Sequence, residues 1–173
     1  MRYRVLSRQY NSHMCFVCGI KNTLGTNARF FVCLNESDEK ILLMVATPKE
    51  EHQSYPNRMH GGIISALLDE SIGRAVQIEN PDIWAVTIDL SVKFRKPVPL
   101  NQTLYCESKI TELNKRTFTG EGKLFCSDGA IVATATAKYF IVPIEKIVND
   151  DKLTAGDVLI DLDEELPEEI VIS

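Results

Sequence analysis

A chain of 173 residues with 45% hydrophobic and 25% charged residues is long enough for one domain with a sizeable core, and this composition is typical of soluble globular proteins. No apolar run approaches the roughly 18 residues of a membrane span, and the first residues lack the apolar segment of a secretory signal. We therefore expect a cytoplasmic protein with no membrane partner. Residues 143–173 hold ten acids and two lysines, a net charge of −8, which leaves residues 1–142 at +3, too weakly basic for a nucleic-acid-binding protein.

The first part of the chain has few regular patterns. Residues 1–14 are polar with scattered aromatic side chains and no periodicity, so they are treated as an N-terminal arm of unknown order. The Cys-x-x-Cys segment that follows, Cys15 to Cys18, is open to three interpretations. Glycine and asparagine after it favour a structural loop. A zinc site would need two more ligands, for which His13 and Cys33 are available, and a redox pair would favour a helix N-terminus.

The chain has an odd number of cysteines, and they are too sparse for a small, disulfide-rich secreted domain. We therefore predict that they are reduced thiols. The five are Cys15, Cys18, Cys33, Cys106 and Cys126. Two β-rich runs, 28–34 and 41–47, are separated by a polar connection, and the second is apolar enough for a strand covered on both faces. Residues 48–59 are then predicted as a polar loop, and because this loop leads directly to His60 it is a candidate wall of the functional site.

The segment from His60 to Val76 is the one long stretch with helical periodicity. At about 100° per residue, an apolar stripe is formed by Ile64, Leu68, Ile72 and Ala75. Asp69 lies on an adjacent stripe of small residues, and it is predicted to point inward. The polar face, predicted to lie toward water, consists of Glu70, Arg74 and Gln77.

Gly61 and Gly62 at the start of this helix would let a ligand approach first-turn N–H groups, which suit an anion or a polarised carbonyl. Eight residues separate Gly61 from Asp69, about 12 Å along a helix axis. One helix therefore cannot present both groups to the same carbonyl carbon. Two antiparallel copies related by a twofold axis could, so the sequence predicts a dimer.

After the helix, residues 84–96 alternate as one long strand in a single register, with Val86 and Ile88 opposite Thr87. Three further strands are predicted at 103–112, 117–126 and 130–142. We expect an α+β fold with one antiparallel sheet of about six strands wrapped around the long helix. Residues 15–142 would form this domain. In the acidic extension 143–173, the segment DVLIDLDEELPEEIVIS could form a short helix or an added strand, or could stay mobile.

The phrase HGGIISALLDESIGRA, followed by VTIDLSVKFRKPVP, resembles the hotdog-fold thioesterases, most closely their PaaI-like branch, and CFVCGIKN is similar to a subset of the superfamily. This resemblance implies a hotdog domain that hydrolyses acyl-CoA as a dimer or a dimer of dimers, with no metal or cofactor. It implies that the Gly61 N–H polarises the thioester carbonyl and that His60 shapes the turn. Asp69 from the facing subunit would act as general base or as nucleophile.

Two supporting positions of the superfamily correspond to Ser54 and Thr87. Thr87 fits the pattern, whereas relatives carry Asn or Gln at the place of Ser54. We expect the phosphates of CoA to bind basic residues at the rim of the site, namely Arg58, Arg95, Lys96, Lys115 and Arg116. A non-catalytic acyl-CoA-binding module is an alternative, disfavoured because Asp69 is present. A hydratase would need a second well-placed imidazole, for which His52 is the candidate.

Overall fold

The computed structural model describes residues 1–148 and 159–172 and confirms the predicted hotdog architecture, an antiparallel sheet curled around one long helix. Helix α1 spans Gly61–Arg74 and continues into a 3-10 turn at Ala75–Ile78. The remaining elements are β1 (Arg2–Arg8), β2 (Asn11–Ser12), β3 (Arg29–Leu34), β4 (Lys40–Ala46), β5 (Gln53–Tyr55), β6 (Arg58–Met59), β7 (Ala85–Phe94), β8 (Leu104–Leu113), β9 (Thr117–Cys126), β10 (Ile131–Ile141), α2 (Ile144–Val148), β11 (Leu159–Ile160) and β12 (Glu169–Val171).

The main sheet has eight strands in the order β12-β1-β3-β4-β8-β9-β10-β7. Six of them, β3, β4 and β7 to β10, coincide with the predicted strands to within a few residues. Two more strands than expected come from the ends of the chain. Residues 1–14, predicted as an arm of unknown order, instead place β1 between β3 and β12. Tyr3 is buried there and Val5 packs partly against the same cluster, so two side chains anchor a strand whose other residues are mostly exposed.

Helix α1 buries its predicted apolar stripe against the concave face of β7 to β10. Ile64, Leu68 and Ile72 are buried, and Leu67 joins them. Each fully buried Leu or Ile contributes about 1.5–3 kcal/mol relative to an exposed one. This burial fixes the rotation of the helix about its axis, and that rotation decides which way Asp69 points.

Glycines in β9 let the helix approach the sheet closely. A Cβ added at Gly120 would lie 2.7 Å from Ile72 Cγ2 and 2.8 Å from the Lys109 carbonyl oxygen. One added at Gly122 would lie 3.0 Å from Ile72 Cγ1. Ile72 therefore seats in a groove that only glycine leaves open.

Gly120→Ala is expected to lower the free energy of unfolding by about 1–3 kcal/mol, because the methyl group meets both a side chain and an unyielding backbone carbonyl. Urea unfolding monitored by the single tryptophan, Trp84, measures this loss. Lys123→Ala, at an exposed position of the same strand, should change stability by no more than about 0.5 kcal/mol. Equal stability of Gly120→Ala and the wild type would contradict the close approach.

Strand β4 is covered on both faces, as its apolar sequence predicts. Leu42 and Met44 face the helix-side core, whereas Ile41 and Leu43 belong to a smaller cluster on the other side of the sheet. Tyr3 and other residues contributed by the chain ends complete that outer cluster. The terminal strands thus cover apolar surface that the six-strand prediction leaves open.

Residues 48–59, predicted as a polar loop, contain a 3-10 turn at Glu50–His52 and the small hairpin β5–β6. In the acidic extension, residues 157–173 contain β12, which is the added strand among the alternatives considered from the sequence. Helix α2 precedes that segment. Residues 149–158 and 173 of that extension lie outside the described residues. Glu164 forms ion pairs with Arg8 at 3.4 Å and Arg29 at 3.0 Å.

Within the described ranges, no helix is long and apolar enough to cross a membrane.

Candidate functional site

The start of α1 is capped by the side chain before it. His60 has extended backbone geometry, and its Nδ1 accepts a hydrogen bond of 2.9 Å from the Gly62 N–H. The Ile63 and Ile64 N–H groups donate to the His60 carbonyl oxygen. The Gly61 N–H has no acceptor among the described residues. One first-turn donor is therefore open, at the end where the helix dipole is positive.

Asp69 lies two turns further along the helix, and two hydroxyl groups hold its carboxylate. Thr87 Oγ1 on β7 donates to Asp69 Oδ1 at 2.9 Å, and Tyr139 Oη on β10 donates to the same oxygen at 3.0 Å. Within the described part of the chain, no hydrogen bond reaches Oδ2. The carboxylate is thus fixed through one oxygen, and the other remains available.

A bulge in β7 aligns Thr87 with Asp69. Lys138 of β10 pairs with Asp89, but the next residue, Tyr139, pairs with Thr87, so Ile88 is the extra residue. The prediction of one unbroken register over 84–96 is therefore wrong. Leu90 packs against the core on the helix side of the sheet. Strict alternation would place Ile88 on that same side, but the extra residue shifts the pattern, so that Thr87 faces the helix instead.

Tyr139 was not identified from the sequence. It is buried and stacks on Phe118 at a centroid distance of 4.8 Å. Its hydroxyl has one proton, which it shares between Asp69 Oδ1 and the Asp69 carbonyl oxygen at 2.8 Å. Burial and the adjacent Asp69 carboxylate raise its pKa, so the phenol keeps the proton that it donates. The alternation of Ala133, Ala135 and Ala137 with polar residues was the available signal, because it places Tyr139 on the face that meets the helix.

The polar face of the helix does not point to water, which corrects the sequence interpretation. Arg74 Nε pairs with Glu70 Oε1 at 2.7 Å, and the Arg74 side chain is only 13% exposed. The guanidinium lies 4.6 Å from the centroid of the Phe30 ring. The link between β1 and β2 lies against this face, because Gln9 Nε2 donates to the Arg74 carbonyl oxygen and Arg74 Nη1 donates to the Tyr10 carbonyl oxygen. The turn from Cys15 to Cys18, called the cysteine turn below, also meets it through Arg74 Nη2 and Cys18 Sγ. Neither contact was predicted.

A cavity of about 170 Å³ opens beside the carboxylate. Its lining combines charged, apolar and aromatic side chains, namely Asp69, Glu70, Gly73, Arg74, Gln77, Ile83, Trp84, Ala85, Thr87, Tyr139 and Leu159. At Gly73, one of the lining residues, an added Cβ would lie 3.1 Å from the Tyr139 ring. The space is suited to a small group placed next to Asp69.

The other predicted binding residues divide between two ends of the domain. Arg95 and Lys96 follow Phe94, whose ring lies 3.5 Å from a Cβ built at Gly61, so they share the end at which α1 begins. Arg58 and Ser54 belong to the exposed hairpin before the helix. Lys115 and Arg116 lie at the opposite end, where the Ile141 N–H donates to the Arg116 carbonyl oxygen. One chain therefore does not assemble all five basic residues.

His52, the candidate imidazole for a hydratase, is 1% exposed and bonded on both sides. Its Nδ1 accepts from the Lys49 N–H at 2.9 Å, so its proton is on Nε2, which donates to the Leu24 carbonyl oxygen at 3.0 Å. This imidazole supports the loop structure and does not reach the cavity. The geometry therefore offers no support for a hydratase centred on His52.

The cysteine turn brings three groups that can bind a metal within 4.8 Å of one another, Cys15, Cys18 and Glu70. His13 and Cys33, the other ligands considered from the sequence, are not part of this group. Cys33 lies in the outer cluster, across the sheet. The four-ligand set of a structural zinc site is not assembled among the described residues.

Comparison with known proteins finds a family model that matches part of this chain. The model of the thioesterase superfamily matches residues 57–133, from the loop before β6 into β10. A Bacillus halodurans protein solved with CoA is 29% identical, with 58% of this chain and 66% of that chain covered and a TM-score of 0.54. No curated protein matches the sequence.

Two further solved structures share the fold at lower identity. The PaaI protein of the E. coli phenylacetic acid degradation operon has a TM-score of 0.59 at 17% identity, covering 68% of this chain and 80% of that one. A hypothetical thioesterase from Streptococcus pneumoniae, solved with coenzyme A, has a TM-score of 0.55 at 18% identity, covering 60% and 79%. These two structures show the fold alone. The family-model match over residues 57–133 bears out the resemblance to hotdog thioesterases and, at the level of the family, the expectation of a hydrolase acting on thioester bonds.

Proposed function

We propose that this chain, a member of the thioesterase superfamily by its match over residues 57–133, hydrolyses acyl-CoA thioesters in a site formed by two protomers. The observation that carries the proposal is the Asp69 carboxylate, held by Thr87 and Tyr139 with one oxygen free beside a cavity. Solved structures of the same fold with CoA or acetyl-CoA bound support the choice of substrate.

Asp69 Oδ2 would take a proton from water or attack the carbonyl carbon itself. The first route is general base catalysis, and the second forms an anhydride that water then hydrolyses. Both routes require a carboxylate with a fixed orientation, which the two hydroxyl donors on Oδ1 provide. The same donors satisfy part of the charge, so the carboxylate does not need a cation beside it.

The Gly61 N–H would polarise the thioester carbonyl. Charge develops on the carbonyl oxygen as the tetrahedral intermediate forms, and a preorganised donor at a helix N-terminus stabilises that charge by several kcal/mol. His60 leaves this donor free because its own ring accepts from Gly62 instead. Its role would be to hold the turn without transferring a proton.

The open edge of the sheet supports a twofold dimer. Strand β7 is the last strand of the main sheet, and its Val86, Ile88 and Phe94 side chains are exposed. Antiparallel pairing of two β7 strands about an axis near Leu90 would place Phe94 of one protomer opposite the beginning of its partner's strand. Since Gly61 lies by Phe94 and Asp69 by Thr87, each amide donor would then approach the carboxylate of the other protomer.

The same pairing would unite the basic residues that one chain keeps apart. Arg58, Arg95 and Lys96 of one protomer would lie on the side of Lys115 and Arg116 of its partner. Such a rim suits the phosphates of CoA, and it would be exposed and therefore screened by salt. The acyl group would enter the cavity beside Asp69.

Tyr139→Phe is expected to lower turnover about 10-fold, because a hydrogen bond to a charged group is lost while the ring stays packed on Phe118. Steady-state hydrolysis of an acyl-CoA measures the effect. Tyr105→Phe removes a hydroxyl from the opposite face of the sheet and should leave turnover unchanged. Equal turnover in the two variants would show that the Tyr139 hydroxyl does not position Asp69 for the reaction.

We expect KM for acyl-CoA to rise with ionic strength while kcat stays nearly constant, because phosphate contacts at an exposed rim are screened. A short thioester without the nucleotide should show no such rise. Measuring both substrates from low to high salt tests the assignment. Identical salt dependence for the two would show that the rim does not bind the phosphates.

A panel of acyl-CoA substrates with detection of the released thiol tests the function itself. Turnover of at least one acyl-CoA by the wild type, and its loss in Asp69→Asn, is the expected result. Calorimetry with CoA distinguishes the alternative. Tight CoA binding without turnover of any thioester would establish a non-catalytic binding module in place of the hydrolase.

A further inference from the structure

The Cys15 to Cys18 segment forms a tight turn. The Gly19 N–H donates to the Cys15 carbonyl oxygen at 2.8 Å, and a Cβ at Gly19 would lie only 2.4 Å from that oxygen. No side chain fits there, so glycine is required for the turn to close. Asn11 Nδ2 fixes the far side by donating to the Cys18 and Ala28 carbonyl oxygens, at 2.6 and 2.9 Å.

This turn brings the two sulfur atoms together and gives them different environments. The Cys15 and Cys18 sulfurs lie within 4.8 Å of each other. Cys18 is 1% exposed, whereas Cys15 is partly accessible to solvent. A pair three residues apart on a closed turn is a suitable geometry for a disulfide, and only one of its members can be reached from outside.

The surrounding donors favour a thiolate at the accessible position. The Val17 N–H lies 3.3 Å from Cys15 Sγ. A hydrogen bond from the Cys18 thiol, which outweighs the opposing effect of burial, lowers the pKa of Cys15 to about 6. The same hydrogen bond, together with burial, raises the pKa of Cys18. Arg74 Nη2 donates to Cys18 Sγ at 3.1 Å and would support negative charge there once Cys15 has reacted.

We propose that Cys15 and Cys18 form a thiol–disulfide exchange site for low-molecular-weight disulfides, with Cys15 as the attacking sulfur and Cys18 as the resolving sulfur. The accessible, donor-supported thiolate and the buried neighbouring thiol within reach match the two roles that the reaction requires.

The reaction balances with the disulfide as oxidant. The Cys15 thiolate attacks one sulfur of RSSR, breaks its S–S bond, and releases RS⁻ as a mixed disulfide forms. Cys18 then loses its proton to water and attacks the Cys15 sulfur, which forms the Cys15–Cys18 bond and expels the second RS⁻. Counted from the two protein thiols, the protein loses two electrons to RSSR and two protons to water, one when the Cys15 thiolate forms and one from Cys18. The two released RS⁻ take up two protons from water, so the disulfide is reduced to two thiols.

A metal at this turn is the competing assignment. Arg74 disfavours it, because the guanidinium already occupies Glu70 Oε1 at 2.7 Å and Cys18 Sγ at 3.1 Å, two of the three groups a metal would use. A dithiol needs neither a third ligand nor displacement of this arginine. The described contacts therefore fit the exchange reaction better.

The test is to treat the native full-length protein with hydroxyethyl disulfide, a small uncharged probe, and to count free thiols and map disulfides. The expected result is a fall from five free thiols to three and a Cys15–Cys18 cross-link. Cys18→Ser should instead trap the probe on Cys15, and Cys15→Ser should not react. Cys126→Ser, which removes a buried thiol from the end of β9, should form the cross-link at the wild-type rate.

Two results would overturn the proposal. One is five unreactive thiols in the native wild-type protein that react only after unfolding. The other is one equivalent of zinc in the purified protein, with both thiols protected until a chelator is added. In the second case Glu70→Gln would also weaken zinc binding, whereas the cross-link of the exchange site should form in Glu70→Gln as in the wild type.

Discussion

Asp69→Asn should lower turnover of acyl-CoA by about 100-fold or more, because an amide neither accepts the proton of water nor attacks a carbonyl. The fold should tolerate the change, since the amide oxygen can still accept from Thr87 and Tyr139. KM should move little, as the substrate is bound chiefly through groups other than this oxygen. Steady-state kinetics together with the thermal midpoint of unfolding separates lost chemistry from lost structure.

Glu70→Gln is the matched control, an acid changed to its amide at the next residue of the same helix. Its carboxylate points to Arg74 and not to Thr87 or Tyr139, so turnover should stay within a few-fold of the wild type. Stability should fall by more than in Asp69→Asn, because the partly buried Arg74 loses its charged partner. Equal losses of turnover in the two variants would contradict the assignment of Asp69.

Ile88→Lys should convert the proposed dimer into monomers and abolish nearly all turnover, because it introduces a charge at the bulge of the open β7 edge. Charged edge residues are a common device against edge-to-edge pairing. Light scattering and hydrolysis measured on the same sample test both effects. The monomer should remain folded, since Ile88 is 53% exposed and contributes little to the core of its own chain.

Leu113→Lys provides the comparison, an apolar residue of similar exposure, 56%, at the end of β8. It should change neither the molar mass in solution nor turnover. A wild-type monomer with full activity, or an Ile88→Lys monomer as active as Leu113→Lys, would refute the two-protomer site. An unchanged mass of Ile88→Lys would place the dimer interface elsewhere.

The sequence predicted the six central strands and the helix because each carries a strong period. In β10, the alternation of alanines with polar residues places the alanine face toward the helix. In α1, only one rotation of the helix about its axis buries Ile64, Leu68 and Ile72 together. Asp69 follows from that rotation, since its phase on the helix is set by the residues that must be buried. The composition of β4 likewise revealed a strand covered on both faces.

Where the sequence prediction failed, the deciding contacts lie far apart in the chain. Strand β1 has no periodicity of its own and is held by pairing with β3 and β12. The bulge at Ile88 depends on the register of β10, which no local pattern of β7 encodes. Arg74 looks solvated from its helix alone, because the turn that buries it lies more than 50 residues earlier.

The sequence by itself therefore determined the hotdog core, the open first turn of α1 and the inward Asp69, since helix and strand periods are local consequences of backbone geometry and of the need to bury apolar side chains. Only the tertiary structure decided that Thr87 and Tyr139 fix the carboxylate, that Glu70 and Arg74 are covered, and that Cys15 and Cys18 differ in exposure. Those features rest on register and on packing between distant segments, and they are set by the fit of whole elements to one another.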